Sequence, residues 1–355
     1  MTQALNLDPT SVRRILVCQL RQIGDVLLAT PSVRLLKMRF PRAEIFMLTE
    51  KKNVQLLENN PDLAGVFAVD KDKQSGLFGS VMFSLGVAAK RFDLIVDFQQ
   101  LPRCRTILAL SRFFGTKIRL TYMPPWYNKW LYTHWAEPDD GYAAMSKASI
   151  LKPLGIQWDN ERPVLKLEQR ERENAAQKLK SWGIVPGNFL VTVDPTHRRE
   201  TRCWPAAHFG ETISAAAEKC PDSRFLVLYG PGERHVAEET ARYANTDACI
   251  VPDIVPSLRE MAAYIEHAGL HFGNCSAPRH MAVALGTPSL VILGSTSGAW
   301  TFPGPDHKDI SLGLDCQPCN ENQCRTNRCL HELTPKMVLP ELTRRMEMVR
   351  QETCG

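Results

Sequence analysis

GNCSAPRHMAVALGTPSLVILGS, residues 273–295, is the stretch whose reading decides the fold. The mostly apolar run Ala268 to Phe272 leads into it as a buried strand, and the stretch itself reads as a turn, a short helix and a second strand. The helix signals are local. Ser276 is placed as an N-cap, Pro278 falls in the first turn where its missing N–H costs nothing, and Gly286 ends the helix. In an open α/β sheet, ligands bind beyond the carboxyl ends of the strands, and the free N–H groups of a helix start favour an anion. Asn274 to His280 therefore lies where a phosphate would dock. A tight connection with His280 simply capped or packed fits the same letters.

Working outward, the same alternation recurs along the chain. Arg14 to Leu20 is an apolar run continued by RQIGDVLLATP, with Gly24 and Asp25 at the turn into a helix. Asp25 fits two roles there, complementing the helix N-terminus or presenting a carboxylate at the sheet's edge. Thr30 and Pro31 predict a second start or a kink, and Phe40-Pro41 ends the helix. Further strands are predicted at Glu44 to Leu48, Gly65 to Val69, Asp93 to Asp97 and Ile118 to Tyr122, with helical patterns at Val54 to Leu57 and Phe78 to Lys90. Met123 to Asp140, rich in proline and tryptophan, has no period and reads as a long loop, with packing or an interfacial patch as the use of its aromatics. A helix near Tyr142 to Leu154 precedes an extended crossing at Asp159 to Leu167.

The second half repeats the pattern through strands at Phe189 to Val193, Arg224 to Tyr229 and Cys249 to Val251, with helices near Glu168 to Trp182, Ala206 to Lys219 and Glu233 to Tyr243. Strand alternating with helix means parallel sheet. The expected organisation is one α/β domain over 1–160, a second over 168–334, and a last helix, within 335–355, crossing back toward the first domain.

Composition bounds the function. At 355 residues, 44% hydrophobic and 23% charged, the chain is globular. No apolar run reaches membrane-helix length, Met1 to Val12 lacks a signal peptide's features, and a cytoplasmic protein is expected. Residues 1–167 hold 23 Lys and Arg against 15 Asp and Glu, whereas 168–355 hold 20 against 23. A basic first half suits a phosphorylated substrate or anionic lipid headgroups, or is ordinary solvation of helix faces. Nucleic acid is disfavoured, since no dense basic run interleaved with aromatics occurs. Gly-x-Gly-x-x-Gly is absent from the first strand–helix turn, which disfavours a nucleotide-dependent oxidoreductase.

Three loops carry the candidate chemistry. DPTHRRETRCWP, Asp194 to Pro205, follows a strand and precedes a helix, so Thr196 and Arg202 would reach the carboxyl edge, where an arginine clamps phosphate bidentately. Glu233, after YGPG, is placed to accept from sugar hydroxyls or to complement a helix dipole. With Asn274 to His280 they outline a site for a phosphorylated nucleoside.

IGDVLLATPSVRLLKMRFP, DFQQ, the R-x-W-P element, GPGE, SLREMA and CSAPRHMAVALGTPSLVILG, in this order, resemble the bacterial lipopolysaccharide heptosyltransferases of glycosyltransferase family 9 over nearly the whole chain. The LRQIGDVLL opening and the cysteine-rich C-terminal part are most similar to the heptosyltransferase III group. The resemblance implies a GT-B fold, two Rossmann-like domains facing a central cleft, with the lipopolysaccharide core acceptor on the N-terminal one and ADP-heptose on the C-terminal one. It implies inverting transfer without a required cofactor, at the inner face of the cytoplasmic membrane through peripheral contact. Carried over, Asp25 matches the catalytic aspartate, Arg202 the usual lysine at the diphosphate, Glu233 the ribose-binding glutamate, and Ser276 and His280 the phosphate-side motif. Two departures stand out: Cys275 replaces the family's aspartate and Ala277 its glycine, which puts the donor sugar in question and keeps open another nucleotide sugar or a non-catalytic binding role. Arg103 and Arg105, after DFQQ, are candidates for acceptor headgroups by position.

Cysteine usage adds one further candidate. Seven of the eleven cysteines are scattered, whereas Cys316, Cys319, Cys324 and Cys329 cluster in CQPCNENQCRTNRC. That spacing suits a closed structural Zn²⁺ site, or equally a loop of reduced thiols. Cys275, at a helix start, reads as a thiol of lowered pKa or as a small packed residue.

Overall fold

A computed structural model describes residues 5–74 and 76–354. The chain divides into two compact units, Met1–Lys166 and Leu167–Gly355. The first comprises β1 (Arg14–Cys18), α1 (Ile23–Arg39), β2 (Glu44–Glu50), β3 (Gly65–Val69), α2 (Gly76–Ala88), β4 (Leu94–Asp97), α3 (Pro102–Phe113), β5 (Ile118–Tyr122), β6 (His134–Ala136) and α4 (Ala143–Ala148). The second comprises α5 (Gln169–Ser181), β7 (Phe189–Asp194), α6 (Ala206–Lys219), β8 (Ser223–Val227), α7 (Arg234–Ala244), β9 (Cys249–Ile250), α8 (Leu258–His267), β10 (Leu270–Asn274), α9 (Ala277–Leu285), β11 (Ser289–Ile292), β12 (His307–Ile310), α10 (Arg328–His331) and α11 (Pro335–Cys354).

Each unit holds a six-stranded parallel sheet, in the order β3-β2-β1-β4-β5-β6 and β12-β11-β10-β7-β8-β9. Both follow the same doubly wound path, starting in mid-sheet and reversing direction once. The reversal leaves a crevice between the loops after β1 and β4 in the first unit, and after β7 and β10 in the second. Central strands such as Ile15 to Cys18 and Leu270 to Asn274 are wholly buried, as strands covered by helices on both faces must be.

Three expectations are corrected. Thr30 and Pro31 make no second helix start, since α1 runs from Ile23 to Arg39 as one element. A proline leaves the carbonyl four residues earlier without its N–H; here that carbonyl, of Leu27, accepts from the Thr30 hydroxyl at 2.6 Å. The predicted helix at Val54 to Leu57 is a 3₁₀ turn, Lys51–Leu56. The helix expected over Tyr142 to Leu154 is α4 followed by a 3₁₀ turn, Ser149–Leu154, containing Pro153 and ending at Gly155 with φ of 71°. Within the second unit Val338, Leu342 and Met346 of α11, four apart on one stripe, join the core around Trp204 and Phe209 and pack on α6. Met123 to Asp140 holds a 3₁₀ turn, Trp126–Leu131, and the three-residue edge strand β6, which is too short to show a period.

Candidate active site

In the second unit the crevice is lined by the ends of neighbouring strands β7 and β10. Gly273 pairs with Asp194, and a Cβ on Gly273 would lie 2.9 Å from both the Asp194 Cβ and its carbonyl oxygen, so only glycine lets the strands approach. Asp194 is the hub. Its carboxylate accepts from the Thr196 hydroxyl at 3.1 Å and from the Ser276 hydroxyl. Ser276 is the N-cap of α9 by backbone geometry, Pro278 sits in the first turn, and Gly286 closes the helix at φ of 80°. The Ser276 side chain makes no cap bond because it is turned to Asp194, which leaves the first N–H groups of α9 for another acceptor. Burial, with Glu233's charge nearby, pushes the Asp194 carboxyl up to about 7.

The R-x-W-P element is an anchor for the basic loop. Trp204 is buried among Phe209 and Phe272, its indole N–H donates to the Leu333 carbonyl at 2.8 Å, and its backbone N–H donates to Asn274 Oδ1 at 2.9 Å. Two residues earlier stands Arg202, whose buried Nε meets no hydrogen-bond partner among the described residues. Burial and the Arg199 charge lower its pKa. His197 is pushed down to about 4 by burial and then by Arg202, Arg199 and Arg198, so this loop is electropositive at the carboxyl edge. Glu233 precedes α7 and folds back to accept from the Gly230 N–H at 2.9 Å. His280 is buried, its ring 6.1 Å from that of Trp300. Ala277 opens α9 and is half-buried.

Cys275 is a packed residue, in a small cluster with Val291, Leu293 and Trp300. Its sulfur accepts from Arg279 Nη1 at 3.1 Å, and the other arm of Arg279 donates to Thr301 Oγ1 at 2.5 Å, whose hydroxyl donates in turn to Asp309. Arg279 is thereby fixed in the interior, beside the position where the family pattern has a carboxylate.

The first unit builds a second crevice the same way. Asp97, at the end of β4, is buried, and burial raises its pKa. It accepts from the Tyr132 hydroxyl at 2.8 Å and from the N–H groups of Gln99 and Gln100 at 3.0 Å. Gln99 then reaches across to accept from the N–H groups of Leu20 and Arg21 at 2.9 and 3.0 Å. DFQQ therefore sets the turn that presents Asp25, in the first turn of α1. Asp25 Oδ1 lies 3.1 Å from Lys147 Nζ, which also donates to Gln19 Oε1 at 3.1 Å and sits 5.5 Å over the Phe98 ring. Both side chains are partly buried, at 24% and 13% exposed, so the pair is little screened. Burial above all, and then the Asp25 charge, raise the Tyr122 hydroxyl's pKa.

Arg103 and Arg105 both lie on α3. Arg103 donates to Gln74 Oε1 at 2.5 Å and Arg105 to Asn128 Oδ1 at 3.2 Å, so each ties α3 to a neighbouring loop. The four clustered cysteines line one cavity of about 320 Å³ with Thr201, Ser295 and Arg328. Cys329 is drawn into the core by α10, whereas the other three are exposed. Among the described residues no three His, Cys, Asp or Glu side chains are placed to hold a metal ion.

Sequence reasoning missed Lys147, Asp194 and Arg279. Lys147 sits on a short helix with no motif around it, far from Asp25 in the chain. Asp194 opens DPTHRRETRCWP, and its position at a strand's end was the available signal.

The profile of glycosyltransferase family 9 (heptosyltransferase) matches residues 139–331. Lipopolysaccharide heptosyltransferase 3 of Escherichia coli K12 is 25% identical over 297 residues, covering 80% of this chain and 83% of that protein. Among solved structures, a family 9 glycosyl transferase from Veillonella parvula superposes with a TM-score of 0.84 at 19% identity, over 98% of this chain and all of that one. An E. coli heptosyltransferase crystallised with ADP-2-deoxy-2-fluoro heptose superposes with a TM-score of 0.68 at 18% identity, over 93% and 99%. The two doubly wound units are thus the Rossmann-like pair of the GT-B fold, and the chain is an enzyme that belongs to glycosyltransferase family 9, the heptosyltransferases.

Proposed function

We propose that this chain moves a heptose from ADP-heptose to the inner core of lipopolysaccharide, with inversion at the anomeric carbon, working at the inner face of the cytoplasmic membrane. The observation that carries the donor assignment is the second unit's crevice. There the uncapped start of α9, the Arg202 guanidinium with an unused Nε and the positive field of Arg198 and Arg199 meet at one strand edge. A diphosphate satisfies all three. Glu233, held by the Gly230 N–H, keeps its second oxygen for ribose hydroxyls.

In the reaction Asp25 takes the proton of an acceptor hydroxyl while that oxygen bonds to the anomeric carbon. The bond from that carbon to the diphosphate oxygen breaks, and ADP leaves with the electron pair. Lys147 orients the Asp25 carboxylate through the contact at 3.1 Å. Arg202 and the α9 N-terminus stabilise the charge that develops on the leaving diphosphate. General-base help of this kind is worth roughly 10²–10⁴-fold. The relatives named for lipopolysaccharide heptosyl transfer support the substrates, and the ADP-heptose analogue bound to a structural neighbour supports the donor.

The test is ADP release from ADP-heptose in the presence of a heptose-terminated core acceptor. Asp25→Asn should lower turnover by about 10²-fold or more with ADP affinity intact. Undiminished turnover would reduce Asp25 to a helix-start residue, and turnover with another nucleotide sugar but none with ADP-heptose would reassign the donor.

A further inference from the structure

We propose that α2 and the elements beside it form a docking surface for an anionic lipid bilayer. Thirteen residues, GLFGSVMFSLGVA, make up α2 without one charged side chain. Such a helix belongs in a core, yet only Ser84, Val87 and Ala88 are buried. Leu77 and Phe78 are 82% and 80% exposed, and Val81, Met82 and Leu85 are exposed as well. The exposure continues on either side of α3, which packs against α2 and against the 3₁₀ turn Trp126–Leu131. Phe113 at the end of α3, and Trp126 and Trp130 in that turn, are exposed too. An apolar surface of this kind on a folded unit marks an interaction site.

Charge selects the occupant. Residues 71–135 carry ten Lys and Arg against three Asp and no Glu. Lys73 precedes α2, Lys90 and Arg91 follow it, and all three are exposed. On α3, Arg103 lies over the Phe83 ring at 5.9 Å and Arg112 over Trp130 at 5.4 Å, so cations are interleaved with the aromatics. A second copy of the chain would bring this basic rim against itself. A bilayer with anionic headgroups takes the apolar side chains at its acyl boundary and the cations in its headgroup layer, as interfacial helices do. No helix among the described residues is long and apolar enough to cross a membrane. The proposal rests on the lipid-linked acceptor of the proposed function, and it gives that reading the surface by which the enzyme reaches such an acceptor.

The test is co-sedimentation of the full chain with phosphatidylethanolamine–phosphatidylglycerol vesicles, against vesicles of phosphatidylcholine alone. Binding should favour the anionic vesicles and weaken with salt. Leu77→Asp/Phe78→Asp should lower the partition coefficient at least about tenfold with ADP binding unchanged, and Lys73→Glu/Lys90→Glu should lower it on anionic vesicles only. Transfer to a deacylated, soluble acceptor should be the same in wild type and Leu77→Asp/Phe78→Asp, which separates this proposal from the assignment of the reaction. Equal vesicle binding by wild type and that variant, or no preference for anionic lipid, overturns the docking surface even if transfer proceeds. A wild-type dimer that dissociates in the variant, without vesicle binding, overturns it in favour of a second copy.

Discussion

Asp194→Asn tests whether the second unit's crevice is held by a proton-sensitive carboxyl. The Asp194 carboxyl rises from its ordinary 3.8 to about 7, chiefly through burial. The folded state thus binds a proton over a pH range in which the unfolded chain has released it. Stability from this group is fully present below about pH 4 and is lost as pH rises through about 7. At about 1.4 kcal/mol per unit, the full loss is on the order of 4 kcal/mol, and about 3 kcal/mol of it falls between pH 5 and pH 8. Asparagine keeps an acceptor for the Thr196 hydroxyl and turns an N–H toward Ser276, whose own oxygen can accept it. The variant carries no charge to desolvate. Urea unfolding of both proteins at several pH values from 5 to 8 should show the wild type losing stability relative to the variant by about that amount. Parallel stability curves across the range would mean that Asp194 does not titrate there, and the account of the hub as a buried acid would fail.

Three further outcomes are expected. Lys147→Met should lower kcat about ten- to a hundredfold with little change in ADP affinity, the cost of one charge-assisted contact; an equal loss of ADP affinity in calorimetry would count against its role at Asp25. Cys275→Asp sets a carboxylate beside Arg279, which can balance it, and should sharpen the preference for ADP-heptose over ADP by about tenfold; an unchanged preference would show the new carboxylate fully engaged by Arg279. Reduced, untagged protein should contain less than about 0.1 zinc per chain, and a stoichiometric content by elemental analysis would mean that the loop from Cys316 to Cys324 closes on Cys329.

Much of the fold was legible because the signals are local. Ser276, Pro278 and Gly286 mark the ends of α9 within a short stretch, and the mostly apolar central strands could not be mistaken for surface. What escaped was decided at a distance. The edge strands β6 and β12 take their identity from a neighbour's free edge, and HWA or HKDI alone carries no alternation to read. Pro31 misleads because the group that offsets it is a side-chain hydroxyl rather than a backbone signal. At the site, Asp25, Arg202 and Ser276 could be picked from their loops, whereas Lys147 pairs with a residue 122 positions earlier and Arg279 faces inward from a helix read for its outer end.

The Thr30 hydroxyl serves two partners, donating to the Leu27 carbonyl that Pro31 leaves bare and accepting from the Val164 N–H at 2.7 Å. One oxygen thus ties the helix that carries Asp25 to the segment leading out of the first unit. The order in which these positions can drift through evolution follows from that sharing. Losing Thr30 while Pro31 remains strands two buried backbone groups at once, a lesion on the scale of a core cavity. Losing Pro31 first restores an N–H for Leu27 and leaves the hydroxyl with Val164 alone. Shedding the proline first therefore leaves only the Val164 N–H to be stranded when the threonine goes, whereas the reverse order strands both groups in a single step.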